Sequence, residues 1–295
     1  MVEYNTIILG SGISGMSCAI YLKRAGLSTL VIENNIPGGQ LNKASVIENY
    51  PGYVAIEGPD LAMSIYEQVQ EYDVDYLFDE VVEILFDKKV LKTKMNEYHY
   101  QNLVFATGRR EKLLDLNHEE EFIGRGISLC ATCDGALYKD RDVLVVGGGS
   151  SAVSEAIYLS KICHKVYLIY RKDVLKAEEI LKDRIAICEN VEIIYDEEIR
   201  EYLYDENKVY GVLLKGCQKI LVDCIFLAIG SIPNSELFAG EKDEGYILVN
   251  ERGETSISNV YACGDVTLKK VYQLISASSE GVNVADSIIK NNIRN

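Results

Sequence analysis

The sequence predicts an α/β protein in which one strand–loop–helix–strand unit is written twice. Three observations carry this. A glycine loop of the form Gly-x-Gly-x-x-Gly lies between an apolar run and a helical pattern near the start of the chain. A matching loop, ending in alanine, returns with Gly147 standing 137 positions after Gly10. Composition is the third observation. With 48% hydrophobic and 25% charged residues over 295 positions there is apolar surface for two cores, and single cores stop growing near about 250–300 residues.

In the first unit, Thr6–Leu9 is an apolar run of strand type, and the loop Gly10, Gly12, Gly15 follows. From Ile13 to Lys23 the apolar residues recur at helical spacing, and Ser28–Glu33 reads as a second strand ending in a carboxylate. This is a Rossmann-like dinucleotide fingerprint in its required context. Gly10 makes the tight turn, Gly12 lets the backbone approach a pyrophosphate, and Gly15 lets helix and strand pack closely. The N–H groups of the helix start face the phosphates, and Glu33 accepts ribose hydroxyls. In the second unit Asp142–Val146 is the strand, Gly147, Gly149 and Ala152 mark the loop, Ser154–Ile162 is the helix and Lys165–Tyr170 the next strand. Here Tyr170 occupies the place of Glu33, followed by Arg171, Lys172 and Lys176. Loss of the acid and gain of cations suit a 2′-phosphate, as in NADP; the same cations read equally well as a solvated face.

The balance of 30 basic against 45 acidic side chains gives a net charge of −15, which argues against a nucleic-acid binder. Tyr4–Leu22 carries no charge and is long enough to span a bilayer, but glycines and serines interrupt it and no basic segment precedes it. A strand, loop and helix explain it better, and the expected compartment is the cytoplasm. Of the eight cysteines, only Cys130 and Cys133 form Cys-x-x-Cys, and His99, His118 and His164 have no ligand-like spacing. A zinc site is therefore not expected. Two thiols at this spacing close a small disulfide, and an oxidised pair accepts two electrons from a reduced flavin. A helix starting just after Ser128 would lower the thiolate pKa. The other six cysteines are expected in the cores.

Taken together, these motifs resemble those of the low-molecular-weight thioredoxin reductases along nearly the whole chain. Besides the glycine loops, the matching segments are Pro37–Leu41 (PGGQL), Glu48–Gly52 (ENYPG), Ala106–Gly108 (ATG), Cys130–Asp134 (CATCD), Ala228–Gly230 (AIG) and Cys263–Asp265 (CGD). The resemblance implies two Rossmann-like domains of the three-layer FAD/NAD(P)-binding type, the second inserted into the first. An FAD-binding domain would span 1–112 and 246–295, and an NADPH-type domain carrying the redox cysteines would span 113–245. FAD would touch Gly10, Gly12, Gly15, Glu33, Gly39, Gln40, Asn49, Ala106, Thr107, Gly108, Gly264, Asp265 and Gln273. Cys133 would face the flavin, Cys130 would attack the disulfide of thioredoxin, and Asp134 would move protons. Asp134 and Asp265 also have a plainer reading as helix caps. The family further implies a homodimer, and an inserted domain that rotates on hinges near 110–116 and 240–246.

The resemblance fails at the second loop. Where NADPH-dependent members carry His-Arg-Arg-x-x-x-Arg, this chain has Tyr170, Arg171, Lys172 and Lys176. Lysine keeps the charge but loses the bidentate fork that grips a phosphate. Tyr272 stands where the family has arginine, Ser231 where histidine is frequent, and Ser278–Glu280 where small residues are expected. Compositional drift should wear down both cofactor sites, yet the FAD positions keep the family's residue types. That selectivity resembles a branch fed by reduced ferredoxin, which is favoured here over NADPH as the electron donor. Lys88 and Lys89 with Lys92 and Lys94, Arg109–Arg110, and Lys269–Lys270 are the candidate docking patches for an acidic ferredoxin. An oxidase of a small dithiol shares the Cys-x-x-Cys and is the second alternative.

Overall fold

A computed structural model of the chain describes residues 2–44 and 46–294. Two compact units result, one from residues 1–110 with 232–295 and one from residues 111–231.

The chain opens with β1 (Val2–Leu9), α1 (Ile13–Arg24) and β2 (Thr29–Glu33), the two strands pairing in parallel with Thr6 opposite Thr29 and Leu9 opposite Ile32. α2 (Gly58–Glu71) leads to β3 (Asp75–Phe78), parallel to β2. β4 (Val81–Leu85), β5 (Val90–Thr93) and β6 (Glu97–Phe105) each run antiparallel to the next and bring β6 back parallel to β1. Ile7, Leu9, Leu30, Ile32 and Phe105 fill one side of the sheet, while Ile8, Val31 and Val104 fill the other. With both faces covered, the strands are continuous apolar runs rather than alternating ones.

The inserted unit follows. β7 (Ile127–Ser128) precedes α3 (Ala131–Asp134), then come β8 (Asp142–Val146), α4 (Ser150–Ser160), β9 (Lys165–Tyr170), α5 (Glu179–Ala186) and β10 (Val191–Tyr195). β11 (Ile199–Tyr204), β12 (Val209–Leu214) and β13 (Lys219–Leu221) form a small antiparallel sheet, and β14 (Cys224–Leu227) rejoins the main one. The parallel order is β7-β14-β8-β9-β10. Val143 and Val145 face one core, Leu144 and Val146 the other.

The last segment returns to the first unit, where β15 (Val260–Ala262) pairs with β6 to complete a seven-stranded sheet of order β3-β2-β1-β6-β5-β4 with β15 beside β6. α6 (Leu274–Arg294) packs on α1 so closely that a Cβ on Gly281 would lie 2.1 Å from the Ser14 carbonyl oxygen.

The return crossing falls at residues 231–232, earlier than the expected 245–246. The reason is packing. Asn234 N donates to the Gly108 carbonyl at 3.0 Å, its side-chain amide donates to the Thr107 carbonyl at 2.9 Å, and Phe238 meets Phe105 edge-on at 5.3 Å. Residues 232–245 thus belong to the first unit. Cys217 departs from the expected core location because it sits exposed at the β12–β13 turn with φ +65°, and Cys188 is only half-buried. Among the described residues no helix is long and apolar enough to cross a membrane.

Candidate active site

The FAD positions proposed from sequence converge at one edge of the first sheet. Gly10, Gly12 and Gly15 follow β1, Glu33 ends β2, Ala106, Thr107 and Gly108 follow β6, and Gly264 and Asp265 follow β15. Parallel strands deliver their C-terminal ends to the same side, which is where such sheets bind ligands. Gly10 has φ +96°, and a Cβ on Gly15 would fall 2.1 Å from the Gly10 carbonyl oxygen, so helix and loop touch through backbone alone. A Cβ on Gly12 would meet nothing within 4 Å, leaving an open cradle at the start of α1. Glu33 Oε2 accepts from Ser11 N at 2.9 Å and from Ser11 Oγ at 2.8 Å, which fixes the carboxylate and leaves lone pairs free.

Gly39 and Gln40 are tied to the same cradle. Gly38 N donates to the Ser11 carbonyl at 2.9 Å, placing Gly39 and Gln40, and Gln40 Nε2 donates to the Arg109 carbonyl at 2.7 Å. Asn49 Nδ2 donates to Gln273 Oε1 at 3.2 Å. Gly264 N donates to Glu280 Oε2 at 2.8 Å, and Glu280 binds Lys269 Nζ at 2.9 Å. Asp265 Oδ1 is buried without a hydrogen bond, lying 3.2 Å from Lys269 Nζ, within ion-pair range. An open cradle at a helix start beside a fixed ribose-type acid fits FAD.

The redox pair lies in the other unit. Cys130 and Cys133 form a disulfide at the start of α3, with Cys130 as its N-cap and Cys133 within the helix. Cys133 N donates to Cys130 Sγ at 3.2 Å, and Thr132 Oγ1 lies 3.4 Å from the same sulfur. Asp134 closes α3, and its Oδ2 accepts from Ser128 Oγ at 2.7 Å; Ser128 Oγ in turn accepts from Cys130 N at 3.1 Å.

The second glycine loop repeats the first in backbone and departs from it in side chains. Lys176 N donates to the Gly148 carbonyl at 2.7 Å, as Gly38 does to Ser11, and a Cβ on Gly149 would meet nothing within 4 Å. Ala152 is fully buried against Gly147. Tyr170 is the difference: its ring lies flat on Gly148, with Cγ and Cδ2 both 2.3 Å from where a Gly148 Cβ would stand. Burial holds that ring in the place where Glu33 receives Ser11 in the first unit. Arg171, Lys172 and Lys176 are exposed.

The family model for pyridine nucleotide-disulphide oxidoreductases matches residues 4–281. The chain belongs to that family. It is 36% identical over 295 residues to the thioredoxin reductase of Bacillus subtilis, covering 97% of this chain and 93% of the relative. The crystal structure of thioredoxin reductase from Streptococcus pyogenes is similar with a TM-score of 0.86, 36% identity and coverage of 100% of this chain and 99% of that one. The ferredoxin–flavin thioredoxin reductase from Clostridium acetobutylicum is 31% identical with full coverage of both chains and a TM-score of 0.56. The protein is thus an oxidoreductase of the thioredoxin-reductase type.

Against that identity, the basic pairs singled out from sequence are mostly neutralised. Lys92 pairs with Glu83 at 2.7 Å, Lys94 with Glu80 at 2.6 Å, and Arg110 with Glu236 at 2.8 Å, while Lys269 is held by Glu280 and Asp265. Tyr272 forms a stack instead, with the Arg109 guanidinium 4.2 Å from its ring centre. Sequence reading missed Ser128 as a site residue. A serine two positions before a Cys-x-x-Cys-Asp run is a local signal for a side-chain turn onto the helix start.

Proposed function

We propose that the protein is a thioredoxin-disulfide reductase that holds FAD in its first unit, draws electrons from reduced ferredoxin and passes them through Cys130–Cys133 to thioredoxin. The disulfide with Asp134 anchored beside it carries the reading of the exchange chemistry. When bound, FAD supplies the two electrons that open this disulfide. The Cys133 N–H directed at Cys130 Sγ favours a thiolate there once the pair is reduced. Cys130 then attacks a thioredoxin sulfur, breaking the thioredoxin disulfide and forming a mixed one. Cys133 attacks Cys130 Sγ, which restores the protein disulfide and releases thioredoxin as a dithiol. Asp134 takes the proton lost by the attacking thiol and returns it to the departing sulfur. A groove of about 440 Å³ lined by Arg125, Leu137, Tyr138, Arg141, Lys208 and Asp223 begins three residues beyond Asp134; Lys208 pairs with Asp223 at 3.7 Å, Arg125 and Arg141 flank the groove, and Leu137 is 73% exposed there. An apolar tip with cationic flanks suits an acidic partner domain such as thioredoxin.

The ferredoxin reading rests on the residues that follow β9. Lys172 and Lys176 stand where NADPH-dependent members carry arginine and lack its phosphate-gripping fork, and the Tyr170 ring packed on Gly148 takes the place of the histidine that precedes them there. NADPH is the second reading, favoured by the open Gly149 cradle and by the three exposed cations that follow β9. Anaerobic titration of the flavin absorbance of the holoenzyme separates them. Full bleaching by reduced ferredoxin with none by NADPH or NADH is expected; stoichiometric bleaching by micromolar NADPH would remove ferredoxin from the scheme.

A further inference from the structure

We propose that Ser128 is a positioning residue for the thiol–disulfide exchange, holding Asp134 in register with the cysteine pair through both halves of its proton cycle. The inference rests on the reading of Asp134 as the proton carrier. It starts from one buried hydroxyl: Ser128 is 2% exposed at the end of β7, and its Oγ has three polar neighbours. It lies 2.7 Å from Asp134 Oδ2, 3.1 Å from Cys130 N, and 3.3 Å from the Cys130 carbonyl oxygen. The amide is a donor only, so Ser128 Oγ accepts from Cys130 N and has one proton to give. When Asp134 is ionised, that proton goes to the carboxylate in a short charge-assisted bond. When Asp134 carries a proton, the carboxyl can donate to Ser128 Oγ while the hydroxyl turns to the Cys130 carbonyl. The hydroxyl therefore satisfies both protonation states without moving the backbone, and a methyl group in its place satisfies neither.

The step that this serves is balanced. The proton of the Cys130 thiol passes to Asp134 as the thiolate attacks the thioredoxin disulfide, and from Asp134 to the first departing thioredoxin sulfur. The Cys133 thiol proton follows the same route when Cys133 displaces the second sulfur, so two protons and two electrons leave the dithiol and both arrive on thioredoxin. The other titratable groups facing the carboxyl are the Tyr138 phenol, pushed up by burial, and the Cys224 thiol, pushed up by burial to about 12. Both stay neutral through the working range, leaving Asp134 as the carrier that Ser128 controls.

The test is single-turnover exchange by holoenzyme reduced with one equivalent of dithionite, mixed with oxidised bacterial thioredoxin or with 5,5′-dithiobis(2-nitrobenzoate). The aryl disulfide expels a strongly acidic thiol that leaves as an anion, so it needs no proton from Asp134. Ser128→Ala should slow thioredoxin reduction about ten- to a hundredfold, the range for losing one hydrogen bond to a charged group. It should slow the aryl disulfide reaction clearly less, because that reaction draws only on the half of the cycle in which Asp134 takes the Cys130 proton and not on the half in which it gives one back. Ser128→Thr should restore most of the rate, which also controls for misfolding of the alanine variant. In an Asp134→Asn background Ser128→Ala should add less than about twofold. If Asp134→Asn itself leaves thioredoxin reduction unchanged, the assignment of Asp134 falls and Ser128 falls with it. If Asp134→Asn is slow but Ser128→Ala costs the same in both backgrounds, or slows both disulfides alike, Ser128 is merely structural and the inference is overturned.

Discussion

Replacing Glu155 with glutamine should stabilise the protein at pH 8 and leave it nearly unchanged at pH 5. Glu155 lies in the second turn of α4, where burial raises its carboxyl to about 7 from an ordinary 4.5, with the charge of Glu111 adding to the effect. The folded chain therefore holds a proton that the unfolded chain releases over that interval. Stability is highest at or below the unfolded pKa, falls as pH rises from about 4.5, and levels off once pH has passed about 7. The interval of roughly 2.5 pH units corresponds to about 3 kcal/mol, since each is worth about 1.4 kcal/mol. Because the side chain is only partly shielded from water, that figure is a ceiling. Glutamine is neutral at every pH and avoids the loss. Urea unfolding of the full chain at pH 5, 6.5 and 8, read by circular dichroism, should show a gain for Glu155→Gln that grows toward alkaline pH. A gain of equal size at all three, or a loss at pH 8, would refute the argument that burial neutralises this carboxyl.

Three further outcomes follow from particular contacts. Gly15→Ala places a methyl against the Gly10 carbonyl oxygen, a backbone atom that cannot step aside; it should cost about 3 kcal/mol and lower FAD retention at least tenfold, measured by denaturation and by equilibrium dialysis. Tyr202→Phe removes the hydroxyl that donates to the buried Glu119 carboxylate at 2.5 Å, and should destabilise the chain by about 1–3 kcal/mol in urea unfolding. Cys130→Ser should keep flavin reduction by the electron donor but lose thioredoxin reduction by more than about a thousandfold in stopped-flow assays, because the attacking sulfur is gone. A flavin-binding module without catalysis would show no thioredoxin reduction before or after the change.

What the residues alone determined was local and periodic. Both glycine loops, the strands feeding them and the helices leaving them were legible because strand, turn and helix are set within about thirty residues of chain. The loop positions proposed for FAD share that basis in part: Gly10, Gly12 and Gly15 follow β1, Ala106, Thr107 and Gly108 follow β6, and Gly264 and Asp265 follow β15, and parallel strands bring such ends together once the sheet forms. The cysteine pair was legible from its own spacing. Tertiary structure decided what depends on where a side chain comes to rest. Only packing assigned residues 232–245 to the first unit, through Asn234 against Thr107 and Phe238 against Phe105. Only packing laid Tyr170 on Gly148, put Glu280 on the Gly264 amide and paired Lys92, Lys94 and Lys269 with acids. The hydroxyl of Ser128 bridging Asp134 and Cys130 belongs to the same class. Sequence period says which face a residue takes, whereas burial and the partner waiting on that face decide its charge, its hydrogen bonds and its chemistry.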